Sequence, residues 1–254
     1  MGGAIARGLA GSGTVAAADL WVCDPQPACT EPLTQLGINV CGETEELVAA
    51  KTDVVIIAVK PQILSGVVAP LAEGLAGRLV VSIAAGVPLA TLEKLLPKSN
   101  IVRVMPNLPI QVLSGATAVA PSEHVGEEAV ELVRSLFAAL GSAQVMREDQ
   151  LDAEGAVVSC GPAYIALFVD ALTRAGVRAG LPAAACREMV EATMLGVAKS
   201  LLETGEHPRT YMERVTSPGG TTAAGLYAME PLMEAAAYDA VDAALARTAE
   251  LATG

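Results

Sequence analysis

The stretch TSPGGTTAAGL, from Thr216 to Leu226, combines hydroxyl side chains, adjacent glycines and a proline, and it contains no charged residue. Ser or Thr followed by Pro and Gly is typical of a helix cap, which is one interpretation. The other is a binding site for a small anion, because backbone N–H groups at a helix start attract negative charge and hydroxyls add donors. Gly219 and Gly220 would let that backbone approach a ligand closely.

The overall composition indicates a globular protein whose interior is mostly aliphatic. The chain has 254 residues, of which 52% are hydrophobic but only 3% are aromatic, a mixture that suits packed helices and a buried parallel sheet. The densest apolar run, Val54–Val59, is far shorter than the ~20 residues of a membrane-spanning helix, so we expect no membrane partner. A net charge of −12 argues against a nucleic-acid partner, because nucleic-acid binding depends on Lys and Arg.

The cysteines and histidines argue against a disulfide framework and against a metal site. The five cysteines are odd in number and form no C-x-x-C motif, which indicates reduced thiols and a cytoplasmic location. His124 and His207 are far apart, so we expect no zinc. The first residues lack a basic segment followed by an apolar core, so we also expect no secretion signal.

The hydrophobic period changes near Arg147. Before it, short β-branched runs alternate with helical stretches, which predicts an α/β, doubly wound, mostly parallel sheet. After it, apolar residues recur at helical spacing, and the last two predicted helices are Thr222–Met229 and Leu232–Ala252. We therefore predict a dinucleotide-binding domain at 1–147 and an all-helical domain at 148–254 that buries its apolar surface against a second copy. The predicted strands are Leu20–Cys23, Val54–Val59, Leu79–Ile83, Ile101–Met105, Ala116–Val119 and Ala143–Met146.

The ends of the predicted strands indicate a dinucleotide site. Gly2 and Gly3 match the end of a Gly-rich turn that enters a helix, and Asp24 follows the next strand, where an acid commonly holds the adenosine ribose. The alternatives are an ordinary helix start and a turn residue. No Lys or Arg lies between Asp24 and Leu36 to bind a 2′-phosphate, which favours NADH without excluding NADPH. Lys60, after the most buried strand, is either a solvated strand end or a cation that faces the cofactor.

Seven motifs occur in one order along the chain, and together they resemble the pyrroline-5-carboxylate reductase family. They are AVKP, SIAAGV, RVMPN, SCGPAY, GLP, GEHP and TSPGGTTAAGL. The resemblance covers Met1 to about Leu251. It implies a Rossmann domain and a helical domain that forms a homodimer, with dimers that often assemble into larger rings. It also implies reduction of 1-pyrroline-5-carboxylate to L-proline with NADPH or NADH, the last step of proline synthesis.

The resemblance also assigns site residues. A neutral cradle suits a cyclic imine with one carboxylate, because a buried Arg would disfavour the protonated, cationic imine. Thr222 is the catalytic hydroxyl at the ring nitrogen. The substrate-binding positions are Ser217, Gly220, Thr221, Thr222 and Glu148, although Glu148 also fits a helix-start acid favoured by the dipole. The cofactor-binding positions are Gly2, Asp24, Ala58, Val59, Lys60, Pro61, Ala85 and Asn107.

The sequence departs from the family pattern in a few places. Family members open with a strand and G-x-G-N-M-G, of which only Met1-Gly2 is present, so we expect the sheet to lack that strand and the cofactor to lose part of its phosphate cradle. Leu108 stands where Thr is usual, which bears on the nicotinamide contacts. Glu45 lies near a frequent Asn, which bears on the adenosine contacts.

Two other functions compete with this assignment. A β-hydroxyacid dehydrogenase shares the predicted architecture, but it needs a Lys as general acid and base in the helix after the domain boundary. Leu151–Ala171 contains no Lys, and Lys199 lies in a later helix. A non-catalytic dinucleotide-binding paralogue is the second alternative, and it would bind NADH or NADPH without turnover.

Overall fold

A computed structural model describes residues 1–253, and the side chains of residues 1–250. Their strands form two sheets, one of two parallel strands (β1-β2) and one of five strands in the order β3-β4-β5-β6-β7. Within the larger sheet only the β5–β6 pair is antiparallel, so the predicted mostly parallel sheet is confirmed. The strands are β1 (Trp21–Cys23), β2 (Asn39–Cys41), β3 (Val54–Ile57), β4 (Leu79–Ser82), β5 (Asn100–Pro106), β6 (Gly115–Pro121) and β7 (Gly141–Val145).

Six helices alternate with the strands, and the others follow β7. Residues Gly155–Ser159 form a π-helical turn between the seventh and eighth helices. The α-helices are α1 (Gly2–Gly11), α2 (Pro27–Thr34), α3 (Thr44–Ala49), α4 (Pro61–Val68), α5 (Leu89–Leu95), α6 (Glu127–Ala138), α7 (Leu151–Glu154), α8 (Gly161–Arg178), α9 (Ala183–Thr204), α10 (Pro208–Arg214) and α11 (Thr221–Thr253).

Strand β4 shows why the larger sheet is covered on both sides. All four of its residues are buried, and Val80 and Val81 are fully inaccessible to solvent. Val81 belongs to the core cluster that contains α1 and α6 residues, whereas Val80 belongs to the cluster that contains α4 and α5 residues. A central parallel strand that is apolar on both faces requires helices on both faces, as in a Rossmann-like fold.

Helix α1 supports both sheets. Its Ile5 and Leu9 pack in the core cluster of the five-stranded sheet. Its Ala6 packs with Leu33 and Ile38, next to the β1–β2 pair. Among the described residues no strand joins the two sheets. The helix therefore contributes apolar side chains to the cores beside both sheets.

The chain divides into two compact units. The first comprises Met1–Cys160 and the end of α11, and the second comprises Gly161–Ala244. The predicted boundary at residue 147 stays a prediction. In the second unit Cys186 is the one buried residue among α8, α9 and α10, whereas large apolar side chains such as Leu202 and Tyr227 are more than four-fifths exposed. A soluble unit rarely exposes so much apolar surface unless another surface covers it.

One helical segment in the described part of the chain, Glu148–Arg178, is long and apolar enough to cross a membrane. This segment is much longer than the apolar run Val54–Val59, and the expectation of no membrane partner was based on the shortness of that run. Length and hydropathy alone are weak evidence for a membrane span, because a helix at a subunit interface has the same properties. The expectation therefore stays a prediction.

The predicted break between Met229 and Leu232 is wrong. Helix α11 runs continuously through this region with Pro231 in its interior. Proline removes one backbone donor and normally kinks or ends a helix. Here the flanking residues are mostly Ala, Leu, Met and Glu, which are strong helix formers, and the helix continues past the lost hydrogen bond.

Candidate active site

The carboxyl ends of β3, β4 and β5 lie at one edge of the sheet, because these three strands are parallel. Most of the predicted cofactor residues follow these strands. Ala58 and Lys60 are exposed after β3, and Lys60 is the N-cap of α4, which begins at Pro61. Ala85 is exposed after β4. In doubly wound sheets this edge is where nucleotides bind.

Gly2 lies at the start of α1, close to the end of β3. A Cβ atom at Gly2 would be 2.8 Å from the Cβ of Ala58, so the backbone approaches more closely than a side chain allows. The first turn of α1 contains no acidic residue. Its free N–H groups can therefore attract a phosphate, and the position fits the glycine that permits close helix–strand packing in a dinucleotide fold.

Asp24 directly follows β1, and its carboxylate takes part in a turn. One oxygen, Oδ1, accepts a hydrogen bond from the Gln26 backbone N–H at 2.9 Å. This contact is the one expected if Asp24 is a turn residue. Because a carboxylate has two oxygens with several acceptor sites, the turn leaves capacity for a ribose hydroxyl. The ribose contact stays a prediction.

Asn107 is buried, and both polar atoms of its side chain have partners. Its Nδ2 donates to the Val158 carbonyl at 3.2 Å, and its Oδ1 accepts from the Ala116 backbone N–H at 2.9 Å. The side chain thus connects β6 to the π-helical turn. Turns of this kind often occur at functional sites. These contacts give Asn107 a structural role in addition to the predicted cofactor contact, which stays a prediction.

Glu148 connects two distant parts of the first unit. Its Oε1 accepts from the Leu89 backbone N–H, the first residue of α5, at 2.5 Å, and from Arg103 Nη1 at 3.3 Å. The Arg103 side chain is only 5% exposed, whereas that of Glu148 is 33% exposed. The structure therefore places Glu148 as an acidic cap on α5 and as the partner of a buried cation. Its predicted contact with the substrate amine stays a prediction.

We expect Glu148→Ala to destabilise the protein more than Arg103→Met. Loss of the carboxylate leaves the Arg103 charge buried without a partner, which costs about 2 kcal/mol after allowance for partial solvent access. Loss of the guanidinium leaves a carboxylate that still caps α5 and reaches water. Urea unfolding of both variants measures the difference, and equal destabilisation would contradict this account of the pair.

Glu154, at the end of α7, is a buried acid that is not among the site residues predicted from the sequence. Burial raises the pKa of its carboxyl group to about 7, and the hydrogen bond from Ser159 opposes the shift. Ser159 Oγ donates to Oε2 at 3.2 Å, and Oε1 is buried with no partner in the described part of the chain. The sequence contained one indication of this burial. Glu154 lies three residues after the apolar Leu151, and residues i and i+3 share a helix face.

In the second unit, the turn before α11 requires its glycines. The Gly220 N–H donates to the Ser217 carbonyl at 3.0 Å. Gly219 has a φ of +68°, which disfavours any residue with a Cβ. A Cβ at Gly220 would lie 2.4 Å from Ser217 Oγ. A hydrogen bond therefore fixes the backbone of this turn, and its two glycines place no side chain in the way of a ligand.

The start of α11 has the features of an anion site. Thr221 and Thr222 are its first residues, and both are exposed, as is Ser217. The first intrahelical hydrogen bond at this end runs from the Ala224 N–H to the Gly220 carbonyl at 3.2 Å, which leaves the N–H groups before it free of helical acceptors. With no acid in the first turn, these amides and hydroxyls can bind a carboxylate.

Comparison with known proteins identifies relatives of both halves. Residues 148–251 match the family model for pyrroline-5-carboxylate reductase dimerisation, and residues 1–86 match a model described as NADP oxidoreductase, coenzyme F420-dependent. The chain is 38% identical to the pyrroline-5-carboxylate reductase of Synechocystis sp. over 99% of this chain and 94% of that protein. It is 38% identical to that of Escherichia coli over 91% of this chain and 86% of that protein.

Solved structures agree with these relatives. A pyrroline-5-carboxylate reductase from Coxiella burnetii superimposes with a TM-score of 0.91 at 32% identity, over 98% of this chain and 93% of that chain. The Plasmodium falciparum pyrroline carboxylate reductase, solved with NADP bound, superimposes with a TM-score of 0.86 at 28% identity, over 99% of this chain and 94% of that chain. The similarity therefore extends over nearly the whole chain.

Proposed function

Because the chain belongs to the pyrroline-5-carboxylate reductase family, we propose that it reduces 1-pyrroline-5-carboxylate to L-proline with NADPH or NADH. The observation that supports this most directly is the uncharged turn and helix start at Ser217–Thr222, with its free amides and exposed hydroxyls. The dehydrogenase alternative is disfavoured, because Leu151–Ala171 lacks the Lys that its chemistry requires.

The substrate carboxylate binds at the start of α11. The amides that precede Ala224 and the hydroxyls of Ser217 and Thr221 supply hydrogen-bond donors, and the dipole of a long helix favours the negative charge. A neutral site does not lower the pKa of the protonated imine. A nearby Arg would lower it, because the two cations repel each other. Gly219 and Gly220 allow the small ring to approach the backbone.

Thr222 orients the ring nitrogen and holds its proton. Its hydroxyl can accept a hydrogen bond from the protonated imine and can donate one to the amine that results. When bound, the reduced nicotinamide supplies the hydride that adds to the imine carbon. The nitrogen loses its positive charge during this step. A hydroxyl dipole that is already in position stabilises the transition state, because it does not have to reorganise.

The cofactor is held at the sheet edge in the first unit. The start of α1 at Gly2 takes the phosphates, Asp24 takes the adenosine ribose, and the small residues after β3 and β4 leave room for the nicotinamide ring. The segment from Asp24 to Leu36 lacks the Lys or Arg that a 2′-phosphate prefers, so NADH is accepted as well as NADPH. The ratio of kcat/KM for the two cofactors tests this point.

The functional assembly is a cytoplasmic homodimer, and its dimers associate into a larger ring. Support comes from the apolar surface of Gly161–Ala244 and from the dimerisation model that matches the same region. Light scattering coupled to gel filtration measures the molar mass. A mass of one chain, about 26 kDa, at micromolar concentration would contradict the dimer.

We expect Gly2→Ala to raise the KM for the reduced cofactor about tenfold, because the new methyl group displaces α1 from the end of β3. Gly3→Ala is the matched control, since its Cβ would meet Arg7 Nη1 at 3.7 Å and Leu33 Cδ1 at 4.0 Å, which are ordinary contacts. Steady-state kinetics with varied NADPH measures both. An equal KM for the two variants would exclude a special role for Gly2.

The decisive assay uses the purified chain with 1-pyrroline-5-carboxylate and NADPH or NADH. We expect oxidation of the cofactor with stoichiometric formation of L-proline, quantified by chromatography. Binding of the cofactor without turnover would instead identify a dinucleotide-binding paralogue. Oxidation of the cofactor with a 3-hydroxyacid product, but not with the imine, would identify the dehydrogenase alternative.

A further inference from the structure

Two cysteines face each other across β1 and β2. The strands pair in parallel with Cys23 opposite Cys41, and each cysteine is the last residue of its strand. Neighbouring strands lie about 4.8 Å apart, which is within the Cα separation of ~4.4–6.8 Å that a disulfide spans. Directly paired residues also direct their side chains to the same face of the sheet. The two thiols are therefore neighbours, and both are free.

The two thiols differ in exposure in a way that suits stepwise oxidation. Cys23 is half-buried, whereas Cys41 is only 4% exposed. A small disulfide from solution can reach Cys23, and Cys41 is then the nearest thiol that can displace it. The other three cysteines lack such a partner in the register: Cys29 and Cys160 are exposed, and Cys186 is buried with its thiol directed to the Thr173 carbonyl.

We propose that Cys23 and Cys41 form a reversible intrachain disulfide, a redox-sensitive modification site next to Asp24. The oxidant is a low-molecular-weight disulfide of the glutathione type. The Cys23 thiolate attacks one sulfur of the oxidant and one small thiolate leaves. The Cys41 thiolate then attacks the Cys23 sulfur, the protein S–S bond forms, and the second small thiolate leaves. The two protein protons pass to the released thiolates, and one oxidant disulfide is reduced for each protein disulfide formed.

The surroundings slow the oxidation of this pair near neutral pH, because they lower the fraction of each thiol that is ionised. Burial raises the pKa of both thiols. For Cys23 the neighbouring Cys41, Glu43, Asp24 and Glu46 raise the pKa further, and for Cys41 Glu46 does so. The carboxylate of Glu46 is held in place, because its Oε2 accepts the Gly42 N–H at 3.1 Å. Since only the thiolate attacks, oxidation is faster at pH 9 than at pH 7.

The modification would act on the adenosine end of the cofactor site, an effect that rests on the proposed function. Asp24 follows Cys23 directly, and its turn contact to Gln26 fixes the carboxylate. A covalent link at the ends of β1 and β2 restricts the backbone next to Asp24, which then adapts less readily to the ribose. We expect the oxidised protein to show a KM for reduced cofactor that is roughly threefold higher, with full reversal by dithiothreitol.

The experiment treats the full-length protein with excess oxidised glutathione at pH 9 and maps its peptides by mass spectrometry. We expect one peptide pair joined through Cys23 and Cys41, with a mass lower by about 2 Da than the two free thiols. Cys41→Ser should give a glutathione adduct at Cys23 and no linked peptide pair. Cys29→Ser, which removes a nearby exposed thiol, should oxidise like the unaltered protein.

Several results would overturn the proposal. These are a linked pair that involves Cys29, the absence of any Cys23–Cys41 peptide after complete loss of free thiol at Cys23, and an unchanged KM for reduced cofactor once the Cys23–Cys41 disulfide has formed completely. The peptide map does not depend on catalysis. A protein that forms the linked peptide but makes no proline would therefore refute the proposed function and leave the disulfide standing.

Discussion

Replacement of Thr222 by Ala is expected to lower kcat/KM for pyrroline-5-carboxylate by about one to three orders of magnitude. The hydroxyl is exposed in the first turn of α11, where it can reach a ligand that binds to the free amides. Its removal takes away the hydrogen bond that the hydroxyl donates to the nitrogen, a bond that strengthens as the nitrogen loses its positive charge. The main effect should therefore fall on kcat, with a smaller change in the substrate KM.

Two variants at the same position separate the hydroxyl from the side-chain shape. Thr222→Ser keeps the hydroxyl and should retain most of the activity, whereas Thr222→Val keeps the shape and should lose as much as Thr222→Ala. Thr193→Ala removes a hydroxyl that donates to its own helix at Met189 and should leave the kinetics unchanged. Unaltered kinetics in Thr222→Ala and Thr222→Val would remove Thr222 from the mechanism.

Strands β3 and β4 could be predicted from the sequence, because both contain runs of apolar, mostly β-branched residues. The structure places β3 within the predicted Val54–Val59 and β4 within the predicted Leu79–Ile83. In both cases the observed strand ends earlier. Of the residues beyond the observed strands, Ala58 is exposed, whereas Val59 and Ile83 are partly buried. The predicted Val54–Val59 strand therefore included two of the predicted cofactor residues, Ala58 and Val59.

The elements around the adenosine end could not be predicted in the same way. Strand β2 has three residues, and its pairing with β1 is decided by long-range packing. Helix α2 contains prolines at its start and in its interior, which obscure the helical pattern. Helix α3 has six residues and no buried side chain, so it shows little apolar period. Short elements at a sheet margin obtain their stability from neighbours rather than from local sequence.

The site residues also differ in how well the sequence alone predicts them. The Gly219–Thr222 turn could be proposed from sequence, because its residue types are unusual and its geometry is local. The contacts of Glu148 with Leu89 and Arg103 span 59 and 45 positions, and no local pattern specifies them. Arg103 itself lies within an apolar strand, and that placement was an indication of a buried ion pair.

The second large effect is expected at Glu154, where Glu154→Gln should stabilise the protein in a pH-dependent manner. The folded-state pKa of about 7 exceeds the ordinary value of 4.5. Below pH 4.5 the carboxyl is protonated in both states, and no penalty exists. Between pH 4.5 and 7 the unfolded chain loses this proton while the folded protein keeps it, so stability falls as pH rises. Above pH 7 the full penalty remains, about 3 kcal/mol.

Urea midpoints at pH 4.5, 7 and 9, at one protomer concentration, test this dependence. The difference between Glu154→Gln and the unaltered protein should be smallest at pH 4.5 and should grow until about pH 8. Asp152→Asn provides the matched control, because Asp152 lies on the same helix but is exposed. A constant difference across this range would show that Glu154 does not hold a proton in the folded protein. The unpartnered Oε1 would then have to be solvated despite its burial.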